Sequence, residues 1–410
     1  RFKNLNKLTI SSCLGMRANE MAKLASLPVD SLNFQNLNIT DQEITSLKDW
    51  RDLEDLEFQN CKSFYGKSLG LLNRVPVEDL EIKGCPISDT TIADLKSWTC
   101  LKELTLWDCK NVTGKTINQL TSSPIEEISI KRCGITSDFF KQLPSLFYLE
   151  ELQVESCLGL KGNFISNPEF RSLRELSLVD IPLERVDVIA IASMKELRNL
   201  EFFRTGNHKD SDDPDPVSSP EFDKKNNERL KYPPYFLRDL SKNAGLEKLA
   251  IDFDRLESGS FKDLNQFKGL VELAIYAENP IPGEVMDQIA SFSIKTLNLY
   301  GPCIDNSDWY RFKGSRNIES LYINNNELDD KDLEAISLLD LETLSIKGGL
   351  VTDKGLMKIT KMKSLKHFNF TDLENTTLKG RFLVGRRMPD CQINQNGLNK
   401  RRKHKRNLKK

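Results

Sequence analysis

Six acidic residues stand 24 apart along the chain: Asp55, Asp79, Glu103, Glu127, Glu151 and Glu175. Carboxylates in so regular a series can present a line of negative charge to a basic ligand. At roughly 5 Å spacing each neighbouring pair repels by about 0.8 kcal/mol in bulk water, and by more where water is excluded. Folding does not require that arrangement, although glutamate is also an ordinary solvated filler at surface positions. Glu57, Glu81 and Glu201 widen the series, and Lys83, Lys131 and Arg132 interrupt it.

A second set is aromatic. Trp107, Phe203, Tyr276 and Tyr300 fall at one place in the same 24-residue pattern, and Tyr322 falls one column away. Aromatic side chains on an exposed strand face are typical hot spots of protein recognition. The expectation is one exposed binding patch running through Tyr276, Tyr300 and Tyr322. Catalysis finds little support. The three histidines, His208, His367 and His404, are scattered, and two of them lie in polar segments unsuited to hold a base. There is no phosphate-binding glycine loop, no GxSxG and no HExxH. The sequence thus points to no catalytic residue, no metal ligand and no cofactor.

The spacing of these residues comes from the elements that carry them. The second leucine of an LxxLxL core recurs at Leu8, Leu32, Leu56, Leu80, Leu104, Ile128, Leu152, Leu176 and Leu200. It resumes at Leu249, Leu273, Leu297, Leu321, Leu344 and Phe368, and a last half-rung carries Met388, Cys391 and Ile393. A period in the range of about 20–29 with this core marks a leucine-rich repeat. In LKELTLWDC, Leu101, Leu104 and Leu106 point inward, while Glu103, Thr105 and Trp107 point out of the strand face. The stretch Asn111 to Leu120 has Val112, Ile117 and Leu120 at helical spacing and is expected to form a helix. The fold class is therefore α/β: a leucine-rich repeat solenoid, a curved horseshoe with a parallel sheet on the concave face and helices or turns on the convex face.

Residues 1–393 form the solenoid of 15–16 rungs, interrupted by a polar insertion at 204–233, and 394–410 form a basic tail expected to be disordered. The insertion reads either as a tolerated surface loop or as a docking loop with Ser219-Pro220 as a phosphorylation site. Net charge is −1, but residues 379–410 hold twelve Lys/Arg against Asp390 alone, leaving about −12 for the rest. The tail reads as a nuclear import signal, a nucleic-acid arm or a solvated end. No aromatic residue interleaves its cations, which counts against nucleic acid. No apolar run approaches the roughly 18 residues of a membrane span, so no membrane partner is expected.

Cysteine ends the strand pattern at 13, 61, 85, 109, 133 and 157. A buried ladder of free thiols that satisfy turn backbone groups is the expectation, and with it a reducing, intracellular compartment, nucleus or cytoplasm. LEIKGCPISD at 80–89 and ISIKRCGITSD at 128–138 combine that cysteine with a following [IV][TS]D or a close variant, while LTLWDCKNVT at 104–113 keeps the cysteine without the Asp and LSIKGGLVTD at 344–353 keeps VTD without the cysteine. This pattern resembles the cysteine-containing leucine-rich repeats, best known in F-box proteins. The resemblance covers about residues 5–393 and implies a substrate receptor of a ubiquitin ligase. Its adaptor-binding F-box would lie in a segment missing before Arg1. The repeats are shorter than is usual there, and later rungs replace the cysteine with Asn326 or Gly349. Two alternatives stand beside it: a secreted pathogen or parasite effector that binds a host protein, and a regulator of a small GTPase. Each reading makes the chain a non-enzymatic scaffold with a protein ligand, basic in character, on the concave face.

Overall fold

The structure is a computed structural model. It describes residues 5–13, 18–24, 27–165, 170–203, 231–257, 259–304, 308–313, 315, 317–325 and 327–396. The tail beyond 396, most of the insertion, Ser219-Pro220, His208 and His404 lie outside the described residues. The chain divides into two compact units, Arg1–Phe202 with Pro220–Gly245, and Phe203–Ser219 with Leu246–Lys410.

The strands are β1 (Lys7–Ser11), β2 (Ser31–Gln35), β3 (Asp55–Gln59), β4 (Asp79–Lys83), β5 (Glu103–Trp107), β6 (Glu127–Lys131), β7 (Glu151–Glu155), β8 (Glu175–Val179) and β9 (Asn199–Phe203). In the second unit follow β10 (Lys248–Asp252), β11 (Glu272–Tyr276), β12 (Thr296–Tyr300), β13 (Ser320–Asn324), β14 (Thr343–Lys347), β15 (His367–Thr371) and β16 (Gln392–Asn396). Every strand is five residues long, and the described ladders are parallel in chain order. The register follows the repeat: Leu56 pairs with Leu80, Leu80 with Leu104, and Leu104 with Ile128. The consensus leucines are buried in both units, each contributing about 2 kcal/mol of apolar burial. Because they bury against neighbouring rungs, one rung has no core of its own. The fold is an α/β leucine-rich repeat solenoid.

Cys61, Cys85, Cys109 and Cys133 form the expected buried ladder. Their thiols donate to carbonyl oxygens of the preceding strand, on Phe34 (3.5 Å), Phe58 (3.8 Å), Ile82 (3.5 Å) and Leu106 (3.5 Å). Burial also pushes the Cys157 thiol up to about 12. Cys13 departs from the ladder and is exposed, since no strand precedes β1 to cover it among the described residues.

The aspartate that opens a helix, as Asp89 and Asp353 do within the [TS]D motif, proves to be a staple between rungs. Asp89 accepts backbone N–H bonds from Thr113 and Gly114, both at 2.9 Å, one rung on. Asp330 takes Thr352 N–H at 2.7 Å and Asp353 takes Thr377 N–H at 2.7 Å. The staple also overturns the helix expected over Asn111–Leu120. Thr113 and Gly114 are held by Asp89, and Gly114 is left-handed at φ +85°, so only a 3₁₀ turn forms, at Ile117–Ser122. The insertion is shorter than expected at its far end. Tyr232 is buried, stacks on Phe236 at 4.0 Å and donates its hydroxyl to the Phe202 carbonyl at 2.7 Å.

Candidate binding faces

The acidic column lies in register on the sheet face of the first unit. Asp55 pairs with Asp79, Asp79 with Glu103, Glu103 with Glu127, Glu127 with Glu151 and Glu151 with Glu175. Asp79 and Glu127 are half-buried, and the other four are exposed. Burial, then the charges of Glu103, Glu81, Asp55 and Glu127, push the Asp79 carboxyl up to about 6. Glu127 and Glu151 are raised as well, by burial first and then by their column neighbours. Asp79, Glu127 and Glu151 thus hold their charge at a free-energy cost, which a cation on this face would relieve.

That cost makes a prediction about pH. Asp79 titrates near 6 in the fold and near 3.9 in an unfolded chain. The folded state therefore binds its proton more tightly. Stability is gained as pH falls from about 6 toward 4 and is lost as pH rises through that window. Asp79→Asn should stabilise the protein near neutral pH by roughly 1 kcal/mol, a figure already discounted for partial exposure. Urea midpoints at about pH 5 and pH 7.5 check it: the gain should be present at the higher pH and shrink at the lower.

The cations that interrupt the column have local partners. Lys83 bridges to Glu81 at 2.6 Å and reaches Glu57 at 3.9 Å. Lys131 pairs with Glu155 at 3.0 Å, and Arg132 holds Asp108 in a two-point bond. All three also surround Trp107, with Lys131 at 4.6 Å, Arg132 at 5.1 Å and Lys83 at 5.4 Å from the ring centre. Trp107 is half-buried within this cage rather than freely displayed.

The tyrosines belong to the second unit, and one of them corrects the sequence expectation. Phe203 and Tyr276 stack at 4.8 Å, Tyr276 and Tyr300 at 4.3 Å, and Tyr300 and Tyr322 meet at 5.3 Å. Tyr276 is only 5% exposed, so it is an interior ring of a stack and not an exposed contact. The cause lies in Ala250 and Ala274, the middle outward residues of β10 and β11. Their small side chains leave room for the rings to lie over the sheet, and both alanines are buried beneath them. These alanines were the signal that the sequence reading passed over. Phe203, Tyr300 and Tyr322 remain half-buried. The outward positions of β12–β15 also hold no carboxylate, only Asn, Ser, Thr and Tyr with Lys347 and His367. The sheet face over β12–β15 thus differs in chemistry from the acidic column of β3–β8.

Solved structures resemble the chain in fold. TLR13 in its complex with ssRNA13 aligns at 15% identity and TM-score 0.50, over 90% of this chain and 55% of that one. An internalin of Listeria monocytogenes aligns at 16% identity and TM-score 0.39, over 90% and 87%. Toll in the Toll–Spätzle complex of Drosophila aligns at 13% identity and TM-score 0.43, over 87% and 49%. The chain thus spans about half the length of the TLR13 and Toll chains. No protein-family model and no curated protein sequence matches it.

Proposed function

We propose that the chain is a non-catalytic binding scaffold whose first unit presents the acidic column to a basic protein ligand. The observation that carries this reading is the register of six carboxylates on one sheet face, with Asp79 pushed up to about 6 by burial and then by the charges beside it. The cysteine and [TS]D motif supports a finer form, a substrate receptor of a ubiquitin ligase, with the basic protein as substrate.

The test uses a labelled peptide of the sequence GLNKRRKHKRNLKK, which is residues 397–410, as a basic probe. Replacing Glu103, Glu127 and Glu151 together by Gln should weaken its binding about tenfold, from roughly 0.5 kcal/mol per lost charge pair. The salt dependence should flatten too, because attraction to exposed charges is screened over about 8–10 Å. An unchanged salt slope would remove the column from the binding surface.

A further inference from the structure

The helix Leu378–Arg387 displays two large apolar side chains one turn apart, Leu378 at 64% and Phe382 at 66% exposure. Leu378 stands at a telling position. The helix before it, Asp353–Ile359, starts after the cap Thr352, and its first residue is the staple Asp353. The helix Leu378–Arg387 starts after the cap Thr377, and its first residue is Leu378. A leucine cannot accept the backbone N–H bonds of a following turn as Asp353 does. Leu378 therefore offers no carboxylate to a following turn.

The helix itself is cationic. Lys379, Arg386 and Arg387 are exposed, and the helix contains no acidic residue. Arg381 is spent on the interior, donating to the Leu373 carbonyl and the Thr376 hydroxyl, both at 2.7 Å. Gly385, one turn beyond Phe382, has open space where a side chain would stand. Residues 397–410 add eight Lys/Arg and no acid to the same end of the sequence.

We propose that this helix seats the protein on an anionic phospholipid surface. Leu378 and Phe382 enter the boundary of the acyl region, and Lys379, Arg386 and Arg387 meet the headgroup phosphates. Apolar insertion and basic charge are each weak alone, and stable peripheral binding needs two such signals. Each cation near an anionic leaflet is worth about 1 kcal/mol. Charge also decides against pairing of this helix with the same helix of a second copy, because two identical cationic faces would repel. The sequence predicts no membrane partner, because it lacks a spanning run; a surface contact needs no such run, and no described helix is long and apolar enough to span.

The experiment is co-sedimentation of the whole chain with vesicles of mixed phosphatidylserine and phosphatidylcholine, and of phosphatidylcholine alone. The expected result is binding to the anionic vesicles only, weakened about tenfold or more by Leu378→Ser with Phe382→Ser. Both residues are exposed, so thermal melts of this variant should match those of the parent. Absence of binding to anionic vesicles overturns the proposal. So does full binding by the double variant, which would assign the effect to the basic tail alone. Tighter binding of a DNA duplex with the same dependence on Leu378 and Phe382 overturns it in favour of nucleic acid. A dimer in sedimentation velocity that the substitutions dissolve overturns it in favour of a second copy.

Discussion

Asp187→Ala should destabilise the first unit by about 3–4 kcal/mol, among the largest losses for any polar side chain here. Asp187 is fully buried in the helix Arg185–Ala192. Its carboxylate accepts four backbone N–H bonds: Asn163 at 2.7 Å, Phe164 at 2.8 Å, Ile165 at 3.0 Å and Glu184 at 2.9 Å. Three of these come from the rung before and one from the start of its own helix, so one side chain closes a loop and caps a helix together. Alanine would leave buried donors without an acceptor, and each costs about 1–3 kcal/mol unless water reaches it. Asp187→Asn keeps one acceptor oxygen in the same shape and should cost about half as much. Urea unfolding gives the magnitude. Amide exchange gives the place, with protection lost first at 163–165, because repeat units open locally. A loss below about 1 kcal/mol for the alanine variant would mean that the turn finds other partners.

Strand positions and register were legible because a constant period of 24 leaves no freedom: once Leu56 faces inward, Leu80 and Leu104 must follow. The acidic column was legible for the same reason. The [TS]D motif was visible as a motif, but its meaning depends on which turn of the next rung lies beside it, and that is a matter of stacking. The 3₁₀ turn at Ile117–Ser122 was hidden likewise, since the apolar spacing of Val112, Ile117 and Leu120 suits a helix until Asp89 and Gly114 hold the turn open. Burial on a sheet face is the least legible feature. It depends on the side chains on the same and the adjacent strand, as Ala274 and Ala250 show for Tyr276.

Tyr276 and Tyr322 should therefore separate when each is replaced by alanine. Tyr276 is nearly buried, with Phe203 stacked on it at 4.8 Å and Tyr300 at 4.3 Å, and it roofs Ala250 and Ala274. Its loss removes an interior ring and opens a cavity that two alanines cannot fill, so the second unit should lose about 3–4 kcal/mol. Tyr322 is half-buried and tilted at 46° to Tyr300. Its replacement should cost under about 1.5 kcal/mol, the range of one aromatic pair. Thermal or urea unfolding of the two variants measures the difference. The contrast also fixes how a binding role on this face can be tested. A partner lost with Tyr276→Ala reports a damaged unit, whereas a partner lost with Tyr322→Ala, at nearly full stability, reports a contact. Equal stability losses for the two would mean that the stack is not hierarchical and that Tyr276 is no more interior than its neighbour.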